Sequence, residues 1–311
     1  MIVAKADWPD LRDKIEALFL QSFGKPVEPG YLDWRYFNNG QEHFLFSVET
    51  ADHFPIASYS AFPVELTSEG EKFRTAMSMT TMTHPNSRGK GLFQKLASEL
   101  YAHAEAQHIA AVWGFPNANS HLTFNSKLRW SDIYEIPTMT LDVSKIDAKQ
   151  FSFDSEIQRD DEFSLNYSQL PTDGLIRVHR TQNYLSWRYA RNPANVYKNH
   201  VIARGDSVSS YVVTKLFGDG VDLVDIQTSS PDEARALLIH IVKGSFESQL
   251  RRLCCWAPSH HFVHGILERL GFSNSAPVTY FGGRELNSSA TPNSWMDYRK
   301  WYVQMGDSDV Y

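Results

Sequence analysis

The feature that most restricts this chain is a string that occurs twice. Tyr31-Leu32-Asp33-Trp34-Arg35-Tyr36 returns as Tyr184-Leu185-Ser186-Trp187-Arg188-Tyr189, five of six positions alike, 153 residues later in a chain of 311. Self-similarity at nearly half the length reads as two copies of one unit. A second echo agrees. Ala111-Val112-Trp113-Gly114-Phe115 leads into a helical pattern ending Lys127-Leu128-Arg129-Trp130, and Cys254-Cys255-Trp256-Ala257-Pro258 leads into one ending Arg269-Leu270-Gly271-Phe272. The two tryptophans lie 143 residues apart, so a ten-residue insertion or deletion in a loop separates the copies. The expected domains are residues 1–146 and 147–311, joined in the polar, acidic stretch from Asp147 to Glu162. Two domains also suit the length.

With 42% hydrophobic and 21% charged residues, the chain has ample material for a core, which excludes a wholly disordered protein. Its formal charge of −6 supplies no field for a polyanion, and no basic stripe appears, so nucleic acid is not an expected partner. The two cysteines, Cys254 and Cys255, are adjacent and provide no disulfide framework. Met1 to Asp7 lacks a basic segment leading into an apolar one, and no run of about 18 apolar residues exists. The expectation is a soluble cytoplasmic protein with no membrane partner. Aromatic residues make up 13%, enough for a packed core or a pocket with flat walls.

In the first copy Leu11, Ile15, Leu18 and Phe19 recur at helical spacing after Asp7 and Pro9, predicting a helix near 8–22. His43 to Thr50 and Ile56 to Leu66 read as strands, with a hairpin at Ser68-Glu69-Gly70-Glu71. Phe73 to Thr83 alternates as a long central strand. A turn, His84-Pro85-Asn86-Ser87-Arg88-Gly89-Lys90-Gly91, then opens a helix with Leu92, Phe93, Leu96, Leu100 and Tyr101 on its apolar face. Strand Ile109 to Gly114, helix Asn119 to Lys127 and strand Pro137 to Val143 complete a mixed α/β domain. A glycine-bearing turn that feeds a helix is an anion site, because the first helical N–H groups lack intrahelical partners and carry the positive end of the dipole. Gly89 and Gly91 allow close backbone approach, while Arg88 and Lys90 add charge suited to a pyrophosphate. The loop is neither a P-loop nor a Gly-x-Gly-x-x-Gly fingerprint. Read by itself, it is also compatible with a tight strand-to-helix turn carrying solvated basic residues.

The string His84 to Leu92, with the Thr-rich strand before it and Lys127-Leu128-Arg129-Trp130 after it, resembles the GNAT superfamily of acyl-CoA-dependent N-acyltransferases. The family's Arg/Gln-x-x-Gly-x-Gly/Ala falls on Arg88 and Gly91, with Phe93 at the last small position. Its second motif falls on Asn117, Asn119, Lys127 and Trp130, with Arg129 in place of glycine. The resemblance covers most of residues 1–143. It implies an α/β (α+β, mixed-sheet) fold of two tandem domains, each a mostly antiparallel twisted sheet with splayed central strands flanked by helices. It also implies acetyl-CoA or another short acyl-CoA as co-substrate, its pyrophosphate on Arg88, Gly89, Lys90, Gly91 and Leu92. Pantetheine would pair with Met82 and Thr83 and be reached by Asn117 and Asn119. No metal is expected; His260, His264 and Glu268 stand at i, i+4 and i+8 without a His-Glu-x-x-His pattern.

In such enzymes an amine attacks the thioester directly, so the protein positions the two, accepts a proton and stabilises the oxyanion. The central strand lacks the usual carboxylate base, and Asn125 stands where a tyrosine acid is common. His84, Tyr134 and Glu135, or a water chain through Ser78 or Thr80, are the remaining catalytic candidates. The second copy has Ser229-Ser230-Pro231-Asp232-Glu233-Ala234 where the loop is expected, without glycine and with two acids, so it is not expected to bind CoA. Trp34, Arg35, Tyr184, Trp187 and Arg188 are candidate acceptor-wall residues, or else the core face of two amphipathic helices. Gly114 to Ser120 and Trp301 to Asp309 resemble GNAT proteins of bacterial surface-polysaccharide (O-antigen, capsule, lipopolysaccharide) pathways, which implies a dTDP-linked amino-dideoxy sugar as acceptor and an acetyl or short hydroxyacyl group. Acylation of an antibiotic or other small amine, a tRNA-dependent aminoacyl transfer and a non-catalytic CoA-binding module are the other readings; the absence of a basic extension argues against the tRNA-dependent one.

Overall fold

The computed structural model describes residues 1–40, 44–146, 156–168, 170 and 173–311. His43 and most of the expected join lie outside the described residues. The described chain divides into two compact units. The first comprises 1–67, 71–134 and 280–296; the second comprises 68–70, 135–279 and 297–311.

The first unit begins with α1 (Trp8–Phe23), opened by Pro9 in its first turn and closed by Gly24 at φ 72°, with Trp8, Ile15 and Leu18 buried. Strands β1 (Leu45–Ala51), β2 (Phe54–Ser68) and β3 (Glu71–Thr83) follow. The β2–β3 turn is set by Glu69 and Gly70, both at positive φ. Next come α2 (Leu92–Ala106), β4 (Ala111–Gly114), α3 (His121–Leu128) and β5 (Ser131–Asp142). Leu96, Ala97, Leu100 and Tyr101 of α2 pack with Phe124, Leu128 and Trp130 and with Tyr59 of β2 into one core.

The second unit adds β6 (Gln158–Arg159), β7 (Arg177–Val178), α4 (Gln182–Leu185), β8 (Tyr197–Arg204), β9 (Ser207–Phe217), β10 (Gly220–Gln227), α5 (Pro231–Glu247), β11 (Arg252–Cys255), α6 (Phe262–Arg269) and β12 (Ser273–Glu285). Its core joins α5 and α6 to β9, β10 and β11 through residues such as Val212, Leu223, Leu237, Ile241, Leu253 and Leu267.

The strands of each unit mix one parallel pair with antiparallel neighbours. In the first unit the order is β1-β2-β3-β4-β12, with β3 and β4 parallel and Gly282–Glu285 of β12 antiparallel to β4. In the second unit β5, β11, β10, β9, β8 and β6 lie in that order, with β10 and β11 parallel and Met139–Asp142 of β5 antiparallel to β11. The strand expected to complete the first copy therefore ends beside β11, and the corresponding strand of the second copy ends beside β4. Pattern alone identifies such strands but not their partners, because an antiparallel edge accepts any strand of the right register.

The repeated strings fold alike. Each ends in a π-helical turn, Asp33–Phe37 and Ser186–Ala190, closed by Asn38 N–H donating to Asp33 O at 2.6 Å and Arg191 N–H to Ser186 O at 2.9 Å. The amide of Asn39 donates to Arg35 O at 2.9 Å, and that of Asn192 reaches Arg188 O at 3.5 Å, the same offset again. The expected amphipathic helices are thus short and wound out at their ends, which turns Trp34, Arg35 and Tyr36, and Trp187, Arg188 and Tyr189, inward together.

Candidate functional site

Parallel strands send their following loops to one edge of a sheet, so the segments after β3 and after β4 share an edge in the first unit. The β3–β4 ladder sets Ala76 opposite Val112 and Met77 opposite Trp113. Beyond it β3 continues six residues further to Thr83, whereas β4 ends at Gly114. The departure is marked by Thr80, whose φ of 39° is left-handed for a β-branched residue. Tyr36 of the first repeat bonds to the hydroxyls of Ser60 and Thr80 at this kink. In the second unit Tyr189 donates to Asp225 at 2.9 Å, where β10 has its own irregularity between Leu223 and Asp225. The repeated tyrosine therefore braces the bend of the central strand in both copies.

After β3, His84 caps a short 3-10 turn by accepting Asn86 N–H on Nδ1 at 3.2 Å. Arg88 is extended and exposed, and its guanidinium donates to Ser22 O at 3.3 Å. Gly89 and Gly91 take φ of 75° and 74°, and a Cβ on either would meet no atom within 4 Å. Glycine is needed here for the turn, and the space above it is open. Gly91 caps α2 without any side-chain hydrogen bond, so the first N–H groups of the helix are left to a ligand or water. Lys90 is exposed beside them, Leu92 is half-buried, and Met82 and Thr83 precede the turn on β3, Met82 buried. Phe93 turns away from the loop onto Tyr59 and Phe124, 5.7 and 5.1 Å between ring centres.

The corresponding helix start in the second unit is closed. Ser230 caps α5 by accepting Glu233 N–H at 3.2 Å, and Glu233 accepts the hydroxyls of Ser209, Ser210 and Ser229. A fixed carboxylate there opposes an anion. The bend of β10 is also covered by the chain itself. Arg180 bridges Asp225 at 2.7 Å and Asp307 at 2.8 Å, and Tyr302 donates to Ile226 O. Arg188 donates to the carbonyls of Gly306, Ser308 and Tyr311.

After β4, Asn117 accepts the N–H groups of Asn119 and Ser120 on its side chain and caps the approach to α3. The helix starts at His121, two residues later than expected. His121 Nε2 lies 2.8 Å from Asp132 Oδ1, and Asn125 Nδ2 donates to the other Asp132 oxygen at 3.0 Å. The ring of Tyr280 stacks on His121 at 3.8 Å. With Nε2–H given to the carboxylate, Nδ1 carries the lone pair, the arrangement of an oriented base. Sequence reading passed over this group, although His121 and Asn125 stand one helical turn apart; Asp132 reaches them only through the turn at Arg129.

A second polar chain ends at Ser78. Trp130 Nε1–H donates to Tyr101 at 2.9 Å, the Tyr101 and Tyr59 hydroxyls are 2.8 Å apart, and Tyr59 donates to Ser78 Oγ at 2.7 Å. Burial pushes Tyr59 up to about 12 and Tyr101 well up, so both stay protonated and the chain donates toward Ser78. Tyr134 lies half-buried on β5.

Trp34 and Arg35 are buried in the first unit, Trp187 and Arg188 in the second, and Tyr184 is partly exposed. His260 precedes α6 and bonds to Trp301 O, so it does not share a helical face with His264 and Glu268. Among the described residues no cluster of three metal-ligand side chains occurs, and no helix is long and apolar enough to cross a membrane.

Residues 5–131 match the family described as acetyltransferase (GNAT) domain. Comparison with curated protein sequences finds no match. A probable N-acyltransferase of unknown function from Enterococcus faecalis is similar over 92% of this chain and 72% of its own, at 12% identity and a TM-score of 0.70. A GCN5-related N-acetyltransferase from Kribbella flavida gives 13% identity and 0.66 over 93% and 71%. Eis1 from Mycobacterium abscessus gives 12% and 0.63 over 92% and 73%. At these identities the likeness is one of fold.

Proposed function

We propose that this chain, whose residues 5–131 match an acetyltransferase (GNAT) domain, is an N-acyltransferase that moves an acetyl or short acyl group from acyl-CoA to the amine of a nucleotide-linked amino sugar. The observation that carries the donor side is the open, glycine-turned and uncapped start of α2 at the end of a strand that outruns its neighbour. That arrangement fits acyl-CoA, because Arg88, Lys90 and the N–H groups that open α2 suit a pyrophosphate, and the end of β3 at Met82 and Thr83 suits the amides of pantetheine. Bound there, acyl-CoA supplies the thioester that an amine attacks. His121, oriented by Asp132, takes the proton from the amine, and Ser78, at the end of its donor chain, offers a hydroxyl to developing negative charge. His84 is engaged in its own turn through Nδ1. The acceptor class rests on the resemblance of Gly114 to Ser120 and of Trp301 to Asp309, within a chain rich in stackable aromatics.

Thermal unfolding with CoA, acetyl-CoA and dTDP tests both sides, since a ligand at about a hundred times its Kd adds about 2.7 kcal/mol to the folded state. The expected result is a raised midpoint with CoA and with dTDP. A shift with CoA alone removes the nucleotide-linked acceptor; no shift with CoA removes the donor assignment.

A further inference from the structure

In the second unit, pairing of β6 with β8 sets Arg159 opposite His200, and pairing of β8 with β9 sets Lys198 opposite Thr214. Opposed residues and residues two apart share a face. Arg159, Lys198, His200 and Thr214 therefore stand on the same side of the sheet as Ile202 and Val212, which belong to the core that includes α5. The alternation of these strands calls for apolar residues there, and polar side chains at core-facing positions are expected where a site needs them. From α5, His240 brings its ring to 5.3 Å from that of His200. Together with Ile241, Ser245 and Leu250 these side chains line a cavity of about 390 Å³, within the size range of small-molecule sites. His200 Nε2 meets Thr214 Oγ1 at 3.3 Å, whereas its Nδ1 is buried without a hydrogen-bond partner among the described residues.

We propose that this cavity binds a phosphate-bearing small molecule, with Lys198 and the two imidazoles on the phosphate and the apolar wall of Ile241 and Leu250 on the organic remainder. The charge balance favours an anion. Arg159 is held by Asp161, Glu247 is the other acid acting on the pair, and Lys198 is exposed at the rim. Burial first, then Arg159, His240 and Lys198, bring His200 down to about 3; burial and Arg159 lower His240 as well. Both rings are thus neutral near pH 7, each with a single N–H, and gain a second donor only when an anion offsets that repulsion, so binding takes up protons. A phosphate with three acceptor oxygens offers Lys198 and each ring an oxygen of its own, whereas a carboxylate must share one oxygen between two of them. The site is independent of the donor loop, in the other unit, and of the closed start of α5.

Histidine NMR of the full chain reads this directly, with His200→Gln and His240→Gln assigning the two imidazole signals. Pyrophosphate and inorganic phosphate should move both signals saturably, more tightly at about pH 6 than at about pH 8 because protons are taken up. Lys198→Glu, at an exposed position, should weaken this about tenfold or more. Signals that stay still while others respond to pyrophosphate overturn the proposal. So do shifts unchanged in Lys198→Glu, or equal shifts with acetate, which would leave no preference for phosphate.

Discussion

Arg129 shows how one residue can take a backbone conformation that its neighbours require at its own cost. It closes α3 at φ 58° and ψ 37°, with its N–H on Phe124 O, and it is exposed. The left-handed region costs an ordinary L-residue about 1–2 kcal/mol, and glycine is the usual occupant of such a cap. Arg129→Gly should therefore raise stability by up to about 1 kcal/mol, less than the full strain because glycine has more freedom to lose on folding. Chemical denaturation checks it; a lower midpoint would show that the arginine side chain matters more than its backbone. The turn Arg129 makes is also what returns Asp132 to His121. If His121 is the base, His121→Ala should lower kcat/KM by about 10²-fold or more. Asp132→Asn should cause a smaller loss, because the tautomer is no longer fixed. An unchanged kcat/KM in both variants would return the proton to water.

At the scale of elements, the two copies use one construction to opposite ends. A central strand bends, a tyrosine from the repeated string braces the bend, and a helix follows. In the first copy the helix opens on Gly91 with no side-chain cap; in the second it opens on Ser230, with Glu233 held by three hydroxyls. This contrast was readable from Arg88-Gly89-Lys90-Gly91 against Ser230-Pro231-Asp232-Glu233, since residues at a helix start act locally. The π-helical ends of the repeats were not readable, because apolar spacing says which residues turn inward and not whether the last turn widens. Arg88→Ala with Gly91→Val should weaken CoA binding by at least about tenfold, through lost charge and a β-branched residue forced to positive φ. Titration calorimetry with CoA measures it, and an affinity equal to the parent's would remove the loop from the donor site. The double variant must keep its cooperative unfolding for that reading, which the exposed position of both residues favours.

On the scale of the whole molecule, chain order and spatial order separate at β5 and β12. The repeat led to an expectation of two copies, and local pattern to the strands of the first. What sequence could not supply was which strand each edge would take, since alternation fixes a face and not a partner. The first unit is completed by Gly282–Glu285 against β4, and the fit there is close. A Cβ on Gly282 would stand 2.7 Å from Ser131 O, and one on Gly283 would stand 2.8 Å from Val112 O, so no larger residue could take either place without displacing backbone. Arg284 adds a hydrogen bond to Leu128 O at 3.2 Å. Residues 1–146 produced alone would lack all of this and leave the hydrogen-bonding edge of β4 bare, a template for aggregation. The expected outcome is a fragment without cooperative unfolding, recovered in soluble and CoA-responsive form when residues 147–311 are produced with it. Size-exclusion chromatography and thermal unfolding of the fragment, alone and co-produced, decide the matter. A stable, cooperatively folding 1–146 would mean that β4 tolerates a free edge and that the late strand is an addition to a unit already complete.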